Sequence, residues 1–194
     1  MARVAELEAA VSRVESRSRE ASAAHPDPFV TAAVELLDSI PGVGEQVAQP
    51  IIAEIGVEME RFPSDGHLAS WAGMSPGNNE SAGKRKSGQT TKGSKFLRTA
   101  LVEAAWAATH AKGTYLQAKY RRLVKRLGAK KALVAVGHTI LRIAYHLLKR
   151  RVRDTELGGD YFNQRHLKRQ RQRLVEKLEA LGVKVTIEEV AAAA

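Results

Sequence analysis

The chain of 194 residues contains no cysteine, few aromatic residues and no long apolar segment. Without cysteine it can form neither a disulfide nor a thiolate metal site, which fits a reducing compartment. Because aromatic residues make up only 5%, the core has to be built from Leu, Val, Ile and Ala, a composition that favours helices. No run approaches the roughly 18 apolar residues of a membrane span, and the N-terminus lacks a signal-peptide pattern. We therefore expect a soluble, cytoplasmic protein without a membrane partner.

Acidic residues are almost missing from the middle of the chain. Between Ser81 and Arg153 there are nineteen Lys and Arg but a single acid, Glu103, and the formal net charge of the whole chain is +10. A surface of one sign over so long a stretch favours a polyanion as partner. An ordinary solvated basic surface is the alternative, and we favour nucleic acid.

Apolar residues at helical spacing predict an all-α protein in three parts. Residues 1–25 are predicted to form a helical arm, residues 30–155 a helical domain, and residues 156–194 a C-terminal helix and tail. The arm carries the a/d positions of two heptads, namely Val4, Leu7, Val11 and Val14. The C-terminal helix carries a thin apolar seam, made of Leu167, Leu174, Val175, Leu178 and Leu181.

A helix-hairpin-helix is predicted over residues 34–56. An apolar helix ends at Ile40, the turn "PGVG" places Gly42 and Gly44 where positive φ is needed, and a second apolar helix follows. In such a hairpin the glycine turn and the first amides of the next helix meet a phosphate without reading base sequence. A plain turn between two bundle helices explains the same pattern, so DNA contact by the two glycines is one of two interpretations.

The helix predicted over residues 130–153 has two distinct faces. Its apolar face consists of Leu133, Val136, Ile140, Ile143, Ala144 and Leu147. Its opposite face consists of His138, Arg142, His146, Lys149 and Arg153. Exposure to solvent alone explains the polar residues of the opposite face, but a stripe of basic residues without an acid could also bind successive phosphates of a nucleic acid. On that interpretation Arg142 and Lys149 bind nucleic acid.

The stretch "ESAGKRKSGQTTKGSKFLR", residues 80–98, holds six Lys and Arg and three glycines five residues apart. It predicts a basic loop over residues 76–95, and then a helix capped by Ser94 whose buried stripe begins at Phe96. The candidate phosphate ligands here are Lys84, Arg85, Lys86, Lys92, Lys95 and Arg98. A serine hydroxyl among such cations can attack a phosphodiester when its surroundings activate it. A floppy linker is the alternative, and the absence of a neighbouring Asp or His gives a hydrolase triad no support.

Four stretches, in this order, resemble the C-terminal domain of the insertion-sequence-one-ten transposases, which are DNA recombinases of bacterial mobile elements. They read "SIPGVGEQVAQPIIAEIG", "RFPSDGHLASWAGMSPGNNESAGKRKSGQTTKGSKFLRTALVEAAWAA", "VAVGHTILRIAYHLLK" and "LGGDYFNQR". The resemblance covers residues 34–185. Ser94 is a departure, because family members usually carry Asn at this position, and the change is expected to weaken the helix cap or a local polar contact.

The resemblance implies RNA-guided DNA transposition in which Ser81 matches the nucleophile and strand exchange passes through serine–DNA linkages. It also implies DNA and a structured guide RNA as partners, and assembly into homo-oligomers or with a full-length transposase. Family members hold Mg²⁺ with carboxylates of an N-terminal RuvC-like domain, and this sequence has no acidic cluster of that kind. We therefore expect a transposase fragment without a metal site of its own, inactive when alone.

Two other interpretations remain open at this stage. The chain would act as a non-enzymatic nucleic-acid-binding remnant if Ser81 has no chemical role. It would act as a helix-hairpin-helix accessory protein of DNA repair if duplex binding is centred on residues 42–45.

The basic middle of the chain predicts nucleic-acid binding that weakens steeply with salt, because binding releases cations from the polyanion. Replacing Arg142 and Lys149 together with Ala should lower the slope of log affinity against log salt by up to about two units. Fluorescence anisotropy over a salt series measures this slope. Salt-insensitive binding, or no binding at low salt, would contradict the prediction.

Overall fold

The computed structural model of the chain describes residues 27–77, 79–81, 84–87 and 90–186. The described helices are α1 Pro28–Asp38, α2 Glu45–Ile55, α3 Asp65–Trp71, α4 Lys95–His110, α5 Tyr115–Leu127, α6 Ala129–Arg150 and α7 Tyr161–Ala180. A 3₁₀ turn spans Met59–Arg61, and a short hairpin is formed by β1 Asn79–Ser81 and β2 Lys84–Ser87. The predicted all-α class is confirmed, whereas the predicted arm of residues 1–25 lies outside the described residues. None of the described helices is long and apolar enough to cross a membrane.

Side-chain caps define where several helices begin. Asp27 Oδ1 accepts a hydrogen bond from the amide of Phe29 at 2.9 Å, and Pro28 occupies the first helical position, where its missing N–H is not needed. Ser94 Oγ accepts a hydrogen bond from the amide of Leu97 at 3.2 Å. The serine at this position therefore caps α4 without the amide side chain that family members usually carry.

The core is organised around α4 and α6, which pack against each other. Helix α2 packs on α4, helices α3 and α5 pack on α6, and α1 closes the bundle against α2 and α6. The crossing of α4 and α6 is close, because a Cβ added at Gly137 of α6 would lie 2.9 Å from the carbonyl oxygen of Leu101. The α4 residues that face the core are small or aliphatic: Leu97, Ala100, Leu101, Ala104, Ala105 and Ala108.

The predicted helix-hairpin-helix is present as α1, a tight turn and α2. Gly42 in the turn has φ +89°, and a Cβ added there would lie 2.4 Å from the amide nitrogen of Ala108 and 2.6 Å from the carbonyl oxygen of Ala104. The turn therefore rests directly on the backbone of α4, and only glycine fits. Gly44 lies two residues further on, with ordinary extended backbone and open space around it.

Phe96 is exposed rather than buried, which corrects the predicted stripe of α4. Its side chain is 79% exposed, whereas Leu97 is fully buried. Successive helical residues are turned by about 100°, so the first apolar residue of α4 points away from the core that the second one enters. Trp106 of the same helix is also 58% exposed, and its ring is tilted by 56° against that of His110 with ring centroids 4.5 Å apart.

Helix α7 contacts the bundle mainly through its first turn. Phe162 stacks on Tyr115 of α5 with ring centroids 5.1 Å apart, and the guanidinium of Arg122 lies 4.8 Å from the centre of the Phe162 ring. Beyond this attachment no residue of α7 is buried. The predicted apolar seam of this helix is therefore present but faces away from the core.

The contact of Gly42 with α4 predicts a large stability difference between two neighbouring glycines. Gly42→Ala should lower the free energy of unfolding by about 2–4 kcal/mol, because it combines a strained φ with a clash against backbone that cannot move aside. Gly44→Ala, which meets open space, should change it by less than about 1 kcal/mol. Urea denaturation followed by circular dichroism measures both. Equal effects would show that the turn is not seated on α4.

Candidate nucleic-acid interface

The segment predicted as a basic loop contains an antiparallel β-hairpin. Backbone pairing sets Ser81 opposite Lys84 and Glu80 opposite Arg85, and an irregularity between Asn79 and Glu80 brings Ser87 opposite Asn79. Below the strands, a further bridge joins Pro76 and Thr90. The segment is thus a two-stranded extension rather than a loop throughout, and it holds Ser81 and the basic run of residues 84–86 in one element.

Two glycines hold the base of this hairpin against the helical core. Gly73 ends the turn after α3 with φ +64°. A Cβ added at Gly93, just before α4, would lie 2.2 Å from the carbonyl oxygen of Ala72 and 2.6 Å from the amide nitrogen of Gly73. The chain entering the hairpin and the chain leaving it therefore touch backbone to backbone. This contact fixes the point from which the hairpin projects.

Arg98, a predicted phosphate ligand, binds both sides of the hairpin base. Its Nη2 donates to the carbonyl oxygen of Gly73 at 2.8 Å and to that of Thr91 at 3.0 Å. The two hydrogen bonds of Nη2 make Arg98 a clamp, since losing it leaves both acceptors without their partner, whereas the buried Nε has no hydrogen-bond partner among the described residues. In the structure Arg98 thus holds the two chain segments at the base of the hairpin together, and its contact with phosphate stays a prediction.

Other predicted ligands around the hairpin and the glycine turn differ in accessibility. Lys92 and Lys95 are exposed on either side of the Ser94 cap. Gly44 is exposed at the N-terminus of α2, whereas Gly42 is partly covered by α4. Of the two turn glycines, Gly44 is the one whose backbone is open to a phosphate.

The polar face of α6, predicted as a stripe without an acid, meets a carboxylate from α3. Arg142 Nε donates to Asp65 Oδ2 at 2.5 Å, and His146 Nε2 lies 3.4 Å from the same oxygen. Partial burial acts to raise the pKa of Asp65, but the hydrogen bond and charge of Arg142 outweigh it, so the pKa lies below its usual range. The side chain of Arg142 nevertheless remains 52% exposed.

Lys149, further along the same face, lies against Tyr145 of its own helix. Its Nζ is 3.1 Å from the Tyr145 hydroxyl and 5.3 Å from the centre of the ring. The Tyr145 hydroxyl in turn donates to the buried carbonyl oxygen of Phe62 at 3.1 Å. Lys149 is therefore exposed but held in place by an aromatic residue that belongs to the core.

Cations from α5 and α6 are close enough to affect each other's ionisation. Burial lowers the pKa of Lys119 on α5, and the charge of Arg142 lowers it further. Burial likewise lowers the pKa of His138, the charges of Arg142 and Lys119 add to this effect, and Asp65 opposes it. Lys119 was not singled out by the sequence, because its partners come from another helix. A polyanion on this surface would relieve the mutual repulsion of these groups.

The part of the chain that the structure describes offers no arrangement of three or more His, Cys, Asp or Glu that could hold a metal ion. Asp65 and His146 approach each other, but Arg142 occupies the same carboxylate oxygen.

The sequence was then compared with known proteins. A family described as "Transposase IS116/IS110/IS902 family" matches residues 34–121, from within α1 to the middle of α5. The match covers less than half of the chain, and it shows that this segment is similar to transposases of that family. The Pilin gene-inverting proteins of Moraxella bovis and Moraxella lacunata are each 28% identical over 125 residues, which is 63% of this chain and 38% of theirs. The chain thus spans less than half the length of these curated relatives.

The matched segment includes the glycine turn, the hairpin with Ser81 and the Arg98 clamp. The polar face of α6 and the seam of α7 lie beyond it. The match agrees with the family resemblance drawn from the sequence, and DNA binding by this segment stays a prediction.

The geometry predicts different effects of replacing two basic residues at the start of α4: a loss of stability for Arg98 and a loss of DNA binding for Lys95. Arg98→Met should lower the free energy of unfolding by about 1–3 kcal/mol, since two carbonyls lose their donor, and should speed amide exchange across residues 84–90. Lys95→Met should leave stability unchanged but weaken DNA binding. Denaturation, hydrogen exchange and a DNA titration of both variants measure these effects. An Arg98 variant that keeps its stability and loses only DNA affinity would overturn the clamp.

Proposed function

We propose that the transposase domain binds DNA and supplies Ser81 as the nucleophile that exchanges DNA strands during transposition of a mobile element. The observation that carries the proposal is the hairpin. It combines a serine with three consecutive basic residues, Lys84 to Lys86, and pairs Ser81 with the first of them. Its base is fixed by the Gly73–Gly93 contact and by Arg98.

The proposed reaction is a transesterification. The Ser81 hydroxyl attacks a phosphodiester, an Oγ–P bond forms, and the bond from phosphorus to one bridging oxygen breaks. The hydroxyl proton leaves the serine and the departing DNA oxygen takes up a proton, so one ester replaces another without net hydrolysis. A second DNA hydroxyl then attacks the serine–DNA ester, which releases Ser81 and joins the strands.

Two parts of the site would assist this reaction. Lys84, Arg85 and Lys86 would stabilise the negative charge on the non-bridging oxygens, an effect that is usually large in phosphoryl transfer. The exposed lysines Lys92 and Lys95 and the amides beside Gly44 would hold the flanking backbone. These groups do not provide a general base for the serine.

The Mg²⁺ that the family resemblance implies does not fit the described residues of this chain, which lack a suitable carboxylate cluster. We propose that a RuvC-like domain holds the metal ion and acts together with this one. The greater length of the gene-inverting relatives is consistent with further domains in such proteins.

A structured guide RNA is the second nucleic acid that we propose as partner. The cations of α5 and α6, with Lys119, Arg142 and Lys149 among them, form a surface separate in sequence from the serine hairpin. Phosphate contacts of this kind position a nucleic acid without reading its bases. The guide would then select the DNA by base pairing, while the protein provides the chemistry.

Denaturing gels of reactions with element-end DNA and its RNA test the nucleophile. With Mg²⁺ and a separately expressed RuvC-like domain, we expect a covalent protein–DNA adduct that disappears in Ser81→Ala. These 194 residues without that domain should give no adduct, because the loss of metal stabilisation raises the activation barrier of the reaction by several kcal/mol. Each increase of about 1.4 kcal/mol in this barrier lowers the rate tenfold.

Ser87→Ala is the matched control, since Ser87 lies on the second strand of the same hairpin. It should keep the adduct. An adduct that survives Ser81→Ala would show that another residue attacks, and strand exchange by the 194 residues alone would refute the need for a second domain. DNA binding without any adduct would favour a non-enzymatic binding module.

A further inference from the structure

Helix α7 presents an apolar seam that nothing in the described part of the chain covers. Its leucines are exposed to 54% at position 167, 61% at 174, 43% at 178 and 78% at 181. Their spacings of seven, four and three residues are those of successive d and a positions of a heptad, and Arg171 takes the remaining a position. Four leucines in one line on a helix without any buried residue are typical of a surface that packs against another helix.

The N-terminal segment of the same chain has the matching pattern. Val4, Leu7, Val11 and Val14 occupy a, d, a and d positions of two heptads, and the rest of that segment is polar or alanine. Residues 171–181 of α7 repeat the a, d, a, d spacing of residues 4–14, with Arg171 in place of one apolar residue. A narrow stripe of this kind buries its apolar side chains only when a second stripe faces it.

The charges beside the two stripes are complementary. In the N-terminal segment the e positions, directly after each d position, are Glu8 and Glu15. On α7 the residues flanking the seam include Lys168 at an e position and Lys177 at a g position. When Leu174, Leu178 and Leu181 face three of the four apolar residues of the N-terminal segment, the fourth faces Arg171. In this register Glu15 meets Lys168 if the helices are antiparallel and Lys177 if they are parallel. Charges at these positions select partners in coiled coils.

A second copy of α7 is a poorer partner for this seam. Helix α7 contains six Lys and Arg and two Glu, so both copies would carry a net positive charge, and in a parallel pair the two Arg171 residues, at an a position, would share one layer. Like charges at facing positions are destabilising. The N-terminal segment offers an acid at each of its two e positions instead.

We propose that residues 4–14 pack on the leucine seam of α7 as a short two-helix coiled coil, an interaction that goes beyond the proposed function. The seam is defined by Leu167, Leu174, Leu178 and Leu181. The pairing ties the N-terminal arm to the C-terminal helix, on a surface that lies outside the matched transposase segment.

The absence of cysteine from the chain allows a direct test by disulfide trapping. Leu174→Cys is combined in turn with Leu7→Cys and with Val11→Cys, because the direction of the pairing decides which layer faces Leu174. After mild oxidation, one of the two pairs should give a disulfide in yields several times those of a control pair with Gln172→Cys, which points away from the seam. Non-reducing gels and mass spectrometry of the linked peptides measure the yield.

Charge reversal tests the same contact independently. Adding Glu15→Lys should reduce the trapped yield, and either Lys168→Glu or Lys177→Glu should restore it, whereas Glu6→Lys at an outward position should have no effect. The proposal is overturned if neither pair exceeds the control. It is also overturned if Leu174→Cys alone gives disulfide-linked dimers that persist after removal of residues 1–25, because a second α7 would then occupy the seam. Neither outcome bears on Ser81.

Discussion

The structure depends on the close approach of other chain segments to the backbone of α4. The turn between α1 and α2 touches α4 at Gly42, and α6 crosses it at Gly137. A side chain at either glycine would disrupt that glycine's own contact, and the contact of Gly42 also needs the small residues Ala104 and Ala108 of α4. Since interiors are packed as densely as crystals, these two contacts fix the positions of α1, α2 and α6 around a single helix.

The hairpin that carries Ser81 is attached to the same helix by the same kind of close backbone contact. Gly93 and Gly73 meet at the base of the hairpin, and Arg98, one turn into α4, holds the carbonyls on both sides. A serine that has to meet a phosphorus atom needs such support, because small errors of position are expensive in catalysis. The apolar core thus positions α4, α4 carries the Arg98 clamp, and the clamp holds the hairpin on which the proposed chemistry takes place.

Much of this architecture could be predicted from local sequence signals, and the remainder depended on partners distant in the chain. Glycine stops and serine caps predicted the helices well, and the two-sided pattern predicted which face of α6 is buried. The hairpin was missed because its strands, "NES" and "KRKS", lack alternating apolar residues and pair only with each other. The clamp of Arg98 depends on a carbonyl 25 positions away, and the pairing of Arg142 depends on Asp65, 77 positions away. No periodic pattern contains such information.

On the cationic surface of α6, Asp65 competes with any bound phosphate for Arg142, because the two side chains form an ion pair. A free arginine is neutralised by mobile ions, which any polyanion displaces with a gain in entropy. Arg142 instead has a counterion that is covalently part of the protein and cannot diffuse away. A phosphate that displaces Asp65 must form hydrogen bonds with Arg142 at least as good as those of the carboxylate. At this position the surface therefore favours a nucleic-acid strand that is correctly positioned over one that is bound loosely.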